Sequence, residues 1–229
     1  EVNKSMKDNM LYQDIAQRTD GDIYVGVVGP VRTGKSTFIK RFMDLLVIPN
    51  IDNEYKRERA QDELPQSAGG RTIMTTEPKF VPNEAVGITV GDNIKLNVRL
   101  VDCEIGTRKV IKEHSTIGVL VTTDGSVTDI PREDYIGAEE RVVKELKELN
   151  KPFIIVLNSS EPESDYTRSL AAKLQEKYDA QVVPTDCENL SRDKIDEIFG
   201  RVLYEFPIDR VNRGSLVKRR IIWWNKKHF

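Results

Sequence analysis

Apolar runs of strand length alternate with amphipathic stretches along most of this chain. Ile23 to Val28 is β-rich and apolar, bounded by Gly21-Asp22 and Gly29-Pro30, and predicts a buried strand. Ile39, Phe42, Met43 and Leu46 then recur at helical spacing, one face of a helix that Pro49-Asn50 stops. Val86 to Val90 and Leu96 to Val101 flank Gly91-Asp92-Asn93, residues that tolerate positive φ, and predict an antiparallel hairpin. After a further helix come apolar runs at Ile117 to Val121, Phe153 to Leu157 and, shorter, Gln181 to Val183. Helices follow each: Tyr135 to Leu149, a second marked by Leu170, Leu174 and Tyr178, and a last one capped by Ser191 and ended by Pro207.

The order strand, helix, hairpin, helix and three strand–helix repeats predicts an α/β fold. Its sheet is mainly parallel and covered on both faces, with one antiparallel edge strand. Residues 21–207 form the expected domain, 1–20 an N-terminal extension, and 208–229 a basic tail or the start of a further domain. Asn50 to Val81 is long, polar and irregular, and a loop of that length points to a switch-like segment. The tail carries seven Lys or Arg after Asp209 and ends near Trp223-Trp224, which reads either as a frayed terminus or as a strip that docks on a membrane surface or partner.

Charge narrows the function classes. With 35 basic against 37 acidic side chains, the bulk composition favours neither nucleic-acid binding nor extended disorder. Only Cys103 and Cys187 occur, each ending an apolar run, so a disulfide framework is not expected and a reducing, cytoplasmic setting is. No stretch approaches the ~20 apolar residues of a membrane span, so any membrane association is expected to be peripheral. His114 and His228 are isolated, and no zinc site is expected.

The sharpest chemical signal is Gly29-Pro30-Val31-Arg32-Thr33-Gly34-Lys35-Ser36-Thr37, between the first strand and the first helix. A glycine, four residues, then Gly-Lys-Ser is the phosphate-loop pattern of P-loop nucleotidases. Glycines let backbone N–H groups and the helix N-terminus face the phosphates, Lys35 reaches the β- and γ-phosphates, and Ser36 meets Mg²⁺. Together with the element order this indicates the Ras-like subtype, a three-layer sandwich. Gly29, Arg32, Thr33, Gly34, Lys35, Ser36 and Thr37 are the expected nucleotide contacts.

Asp102 ends the second hairpin strand, where a carboxylate holds Mg²⁺ through its water shell. Ras-like chains follow that Asp with two residues and Gly. Here Gly106 falls one place late, so either the switch is atypical or residues are absent after Cys103. Thr72, Thr75 and Thr76 lie where a switch threonine meets Mg²⁺ and senses the γ-phosphate; Thr75 and Thr76 are not ranked by sequence. After the strand ending at Leu157 a GTPase would show Asn-Lys-x-Asp, but this chain reads Asn158-Ser159-Ser160-Glu161. Loss of a polar partner to guanine costs discrimination of order 10⁴, so adenine is expected at Asn158, with Glu161 the one carboxylate able to replace the missing Asp.

These blocks resemble the stage IV sporulation protein A family of endospore-forming bacteria. The resemblance rests on the phosphate loop with Val31-Arg32-Thr33, on Asp62-Glu63-Leu64-Pro65-Gln66-Ser67 and Thr72 through Val81, and on Val101-Asp102-Cys103. It continues through Gly106-Thr107-Arg108-Lys109, Glu113 to Gly118 and Tyr204-Glu205-Phe206-Pro207. It implies a fold like that of translation-factor-related GTPases, but using ATP, whose hydrolysis drives self-assembly of a scaffold. That scaffold is the basement layer of the spore coat, on the outer forespore surface in the mother-cell cytoplasm. Carried over by position, Lys35 is the Walker lysine, Asp102 the Walker B aspartate, and Thr75 and Thr76 the γ-phosphate-sensing pair. Implied partners are other copies of the chain, coat proteins and a small membrane-bound amphipathic peptide. The family places Val-Gly and a long polar segment between Asp-Cys and Glu-Ile-Gly-Thr-Arg-Lys, whereas here Cys103 meets Glu104 directly. Two further classes remain open: a divergent GTPase switch, and a scaffold that binds nucleotide without turnover.

Overall fold

Strict alternation of inward and outward side chains on four central strands sets the architecture. In a computed structural model, residues 13, 14, 16, 17, 19–65, 79–90, 94–102, 107–202 and 205 are described. The strands are β1 Asp22–Val28, β2 Lys79–Val90, β3 Ile94–Asp102, β4 Ile117–Thr123, β5 Phe153–Asn158 and β6 Val182–Thr185. The helices are α1 Lys35–Phe42, α2 Glu54–Asp62, α3 Thr107–His114, α4 Arg132–Glu148, α5 Asp165–Tyr178 and α6 Arg192–Val202. One six-stranded sheet runs β2-β3-β1-β4-β5-β6. All pairs are parallel except β2 with β3, so the expected antiparallel strand lies at the edge.

Because side chains on a strand alternate faces, each strand feeds two cores. Val25, Val27, Val119, Val121, Ile154 and Val156 point to one, where Phe38, Ile39 and Phe42 of α1 meet Ile195, Ile198 and Phe199 of α6. Val28, Leu120, Ile155 and Leu157 point to the other, under Ile111 of α3, Val142, Val143 and Leu146 of α4, and Leu174 and Tyr178 of α5. Helices therefore cover both faces, as the continuous apolar strands require.

The sequence expectation fails in the Asn50–Val81 segment, which is not irregular throughout. Helix α2 occupies Glu54–Asp62, and β2 begins at Lys79 rather than Val86. Only Ala60 of α2 is buried, so no apolar period marks it. Asn53 caps it by accepting from Lys56 N at 3.0 Å, and Glu63 fastens its end to the edge strand by accepting from Asn83 N at 2.8 Å. The first helix also continues differently, through a π-turn at Met43–Val47 and a 3₁₀ turn at Ile48–Asn50 before the chain extends. The hairpin turn at Gly91-Asp92-Asn93, residues 1–12 of the 1–20 extension and the 208–229 tail lie outside the described residues.

One buried ion pair fixes α4 beneath β4. Glu139 is 0% and Arg132 8% exposed. The Glu139 carboxylate accepts from Arg132 Nη2 at 2.8 Å, Tyr178 OH at 2.7 Å and Thr122 Oγ1 at 2.5 Å. Burial first, then the bond to Glu139, pushes the Tyr178 hydroxyl well above its ordinary value, so it stays a donor. Removing one member strands the other charge in the core. Glu139→Ala is expected to destabilise the fold by about 3–5 kcal/mol, read from the urea unfolding midpoint; a loss under about 1 kcal/mol would contradict a fully desolvated pair.

Candidate functional site

The parallel strands deliver their C-terminal ends to one edge, and the strand order reverses at β1. Open α/β sheets bind ligands at such a reversal, because loops leaving neighbouring strands diverge to opposite faces there. The loop between β1 and α1 occupies this position. It bends through positive φ at Gly29 (140°), Arg32 (61°) and Gly34 (95°). A Cβ on Gly29 would lie 2.2 Å from Val121 O, and one on Gly34 2.3 Å from Asn158 Nδ2. Both glycines are therefore required by conformation and by space. Arg32 accepts the left-handed region with a side chain, at a cost of about 1–2 kcal/mol, and it is exposed.

Inside the loop Thr33 Oγ1 donates to Pro30 O at 3.0 Å, and Lys35 Nζ donates to the same carbonyl at 2.7 Å. Lys35 is only 6% exposed, so its ammonium is held across the loop it belongs to. Helix α1 begins at Lys35 and has no side-chain cap. The first amides of a helix have no partner within it, and beside the lysine they make a donor set that suits a polyphosphate. Ser36 and Thr37 stand half-buried in the first turn.

Asp102 ends β3 in register with Val27 of β1, one strand away from the loop. Ser36 Oγ donates to Asp102 Oδ2 at 3.5 Å. A hydroxyl and a carboxylate at this spacing, beside phosphate donors, are hard oxygen ligands of the kind Mg²⁺ takes. Lys35, Ser36 and Asp102 are thus brought together. Thr72, Thr75, Thr76 and the Cys103–Gly106 junction lie outside the described residues.

Asn158 is 5% exposed and reaches the same loop from β5. Its Nδ2 donates to Thr33 O at 3.0 Å, and its Oδ1 accepts from Cys187 N at 3.0 Å. One amide thereby braces the glycine loop against the loop after β6. That second loop is shaped by Asp186, which accepts from Glu188 N at 2.8 Å and Asn189 Nδ2 at 2.8 Å. Burial alone would raise its carboxyl. The bonds from Asn189 and Glu188, with the charge of Arg41, outweigh burial and hold it below the usual carboxylate range. Cys187 is buried and unpaired to sulfur. Burial, then the charge of Asp186, pushes its thiol far up, so it is no nucleophile.

A residue that sequence reasoning missed is Asp124, just beyond β4 and 8% exposed. Burial is the largest single influence and would raise its carboxyl. Bonds from Ser126, Ser159 and Thr167 together prevail and hold it below its ordinary value. The available signal was Asp124-Gly125-Ser126 directly after an apolar run, an acid at a strand's C-terminal end.

Comparison with known proteins agrees with the residue pattern. The family described as "Stage IV sporulation protein A, ATPase domain" matches residues 6–104 and 103–207. The two pieces meet at Cys103-Glu104, where the sequence pattern breaks. Proteins named "Stage IV sporulation protein A" from Bacillus anthracis and Bacillus subtilis (strain 168) are each 52% identical over 237 residues, covering 88% of this chain. One of the same name from Clostridioides difficile (strain 630) is 49% identical over 238 residues, covering 89%. The chain spans 48% of the length of each of these curated relatives.

Glycine substitutions test the loop geometry. Gly34→Ala is expected to destabilise by about 2–4 kcal/mol, from a left-handed φ and the collision with Asn158. Gly137 lies inside α4, and nothing stands within 4 Å of an added Cβ there. The same change at that position is expected to stabilise by about 0.5–1 kcal/mol. Urea midpoints of equal sign for the two variants would contradict the loop conformation.

Proposed function

The chain belongs to the stage IV sporulation protein A family, matching its ATPase domain over most of its length, and on that premise we propose that it is a Mg²⁺-dependent ATPase of the P-loop, Ras-like type. Membership implies nucleotide hydrolysis in sporulation. The single observation that carries the finer reading is the convergence of Lys35, the α1 N-terminus and the Ser36–Asp102 pair at the C-terminal ends of β1 and β3.

In this reading Gly29, Arg32, Thr33, Gly34 and Thr37 line the phosphate site, and backbone amides grip the α- and β-phosphates. Lys35 exchanges the Pro30 carbonyl for phosphate oxygens. Its charge on an anion at about 4 Å and an effective dielectric near 20 is worth roughly 4 kcal/mol, several times a neutral hydrogen bond. Ser36 and Asp102 would hold Mg²⁺, with Thr75 or Thr76 as the proposed further ligand. When bound, Mg²⁺ neutralises charge on the β- and γ-phosphate oxygens. Adenine is favoured over guanine because Asn158-Ser159-Ser160-Glu161 lacks the Lys and Asp that read guanine, and Asn158 already spends both ends of its amide on protein partners.

Turnover in the wider protein drives self-assembly of the spore-coat basement layer on the forespore surface, within the mother-cell cytoplasm. Coat proteins and a small membrane-bound amphipathic peptide are the proposed partners. Residues 21–207 carry the ATPase, and the basic 208–229 segment follows it in sequence. The proposals about assembly and partners draw on relatives about twice as long as the chain.

Phosphate release measured in parallel with ATP and GTP tests the reading. ATP is expected to be turned over in preference, and Lys35→Ala is expected to lower ATP turnover about 100-fold or more with the fold retained. Comparable GTP turnover would replace the adenine claim with a divergent GTPase switch. Tight ATP binding without turnover would leave a nucleotide-stabilised scaffold.

Replacing both Thr75 and Thr76 by Ala separates sensing from binding. Turnover is expected to fall at least about tenfold while ATP affinity changes by less than about threefold, because a switch hydroxyl touches only Mg²⁺ or the γ-phosphate. If ADP binding collapses alongside ATP binding, the two threonines hold the fold or the base and sense nothing.

A further inference from the structure

Neighbouring strands stand about 4.8 Å apart, so the end of β5, two strands over, lies about 10 Å from the end of β1, and its Asn158 side chain bridges the gap to the glycine loop at Thr33 O. On the nucleotide reading given above, phosphates in that loop direct the base toward the Ser159–Glu161 turn, where a GTPase would carry its guanine-reading motif. What fixes this turn is legible from proton counting. Thr167 Oγ1 has one proton, and it goes to Asp124 Oδ2 at 2.9 Å. The same oxygen accepts from Ser164 Oγ at 2.9 Å, so Ser159 Oγ, 3.2 Å away, receives no proton from it and turns its own toward that oxygen or toward Asp124 itself. Ser159 Oγ in turn accepts from Glu161 N at 3.0 Å.

A second relay runs in parallel. Ser160 N donates to Ser126 Oγ at 2.9 Å, and Ser126 Oγ donates to Asp124 Oδ1 at 2.6 Å. Ser126 N adds a bond to that same carboxylate oxygen at 2.9 Å. The two consecutive backbone amides of the turn therefore end, each through hydroxyls, on the two oxygens of one buried carboxylate. Ionised carboxylate is acceptor-only, which forces every hydroxyl in both relays to point the same way.

We infer that Asp124 is a positioning residue for the nucleoside end of the bound nucleotide, orienting the Asn158–Glu161 turn through Ser126 and the Ser159–Thr167 pair without touching the phosphates. The inference rests on the nucleotide reading given above. Asp124→Asn keeps the shape but turns one acceptor into a donor, and so takes away the acceptor at the end of one relay.

The test is calorimetric titration of the unaltered chain, Asp124→Asn, Ser126→Ala and Lys35→Ala with ATP, GTP and inorganic tripolyphosphate, alongside melting temperatures. Asp124→Asn is expected to weaken ATP about tenfold, to narrow its preference over GTP, and to leave tripolyphosphate within about twofold. Ser126→Ala, which cuts one relay and spares the charge, shifts ATP in the same direction by less. Lys35→Ala weakens ATP and tripolyphosphate together. ATP affinity unchanged in both relay variants, or ATP and tripolyphosphate weakened equally, would overturn the inference while leaving the phosphate loop intact. Failure of the unaltered chain to bind either ligand would overturn the nucleotide reading itself, and the inference with it.

Discussion

Two hydrogen bonds from one buried amide hold the site in its working shape. Asn158 reaches from the end of β5 to the Thr33 carbonyl and to the Cys187 amide, closing the glycine loop against the loop after β6. Both partners are buried, so an unmade bond would carry the desolvation cost of an orphaned polar group, about 1–3 kcal/mol each. Gly34 has no Cβ because Asn158 stands where one would go. Arg32 and Gly34 keep left-handed backbone because the loop is pinned from outside as well as folded from within. Arg41 Nε adds a bond to Glu188 O at 2.7 Å, so α1 follows the same anchor.

Buried charge is divided between two tasks on adjoining parts of β4. The Arg132–Glu139 pair, with Thr122 and Tyr178, is fully satisfied, faces the second core and holds α4 and α5 to the sheet. Asp124, two residues past Thr122, turns instead to the loops at the strand ends. Neither group resembles a reactive centre: each carboxylate is saturated by donors that stabilise its charge. On the proposed reading, chemistry falls to the glycine loop, where Lys35 and the α1 N-terminus concentrate positive potential, and to Ser36 with Asp102.

Much of the fold was legible because burial on both faces writes itself into sequence. Ile23 to Val28, Ile117 to Val121 and Phe153 to Leu157 are continuous apolar runs, and each is a central strand. Helix α2 was not legible, since a helix with only Ala60 buried has no apolar stripe, and its one local sign was Asn53 before Glu54. The glycine loop could be read because glycine spacing is a backbone requirement. The Asp124 relays could not, because their members are separated by up to 43 residues and meet only when β4 and β5 pair. Asn158 was anticipated as a base contact, and its role as a brace emerged only with Thr33 and Cys187 beside it. Thr75 and Thr76 rest on their place in the loop before β2 and on family resemblance, and lie outside the described residues.

The central claim is that the glycine loop, Ser36 and Asp102 hydrolyse ATP with Mg²⁺. Single-turnover ATP hydrolysis by the unaltered chain, run with Mg²⁺ present and with Mg²⁺ chelated, tests it most directly. The account predicts stoichiometric phosphate release in the first case and a loss of at least about 100-fold in rate in the second. Release that persists undiminished under chelation, or no release in either condition despite ATP binding, would contradict it.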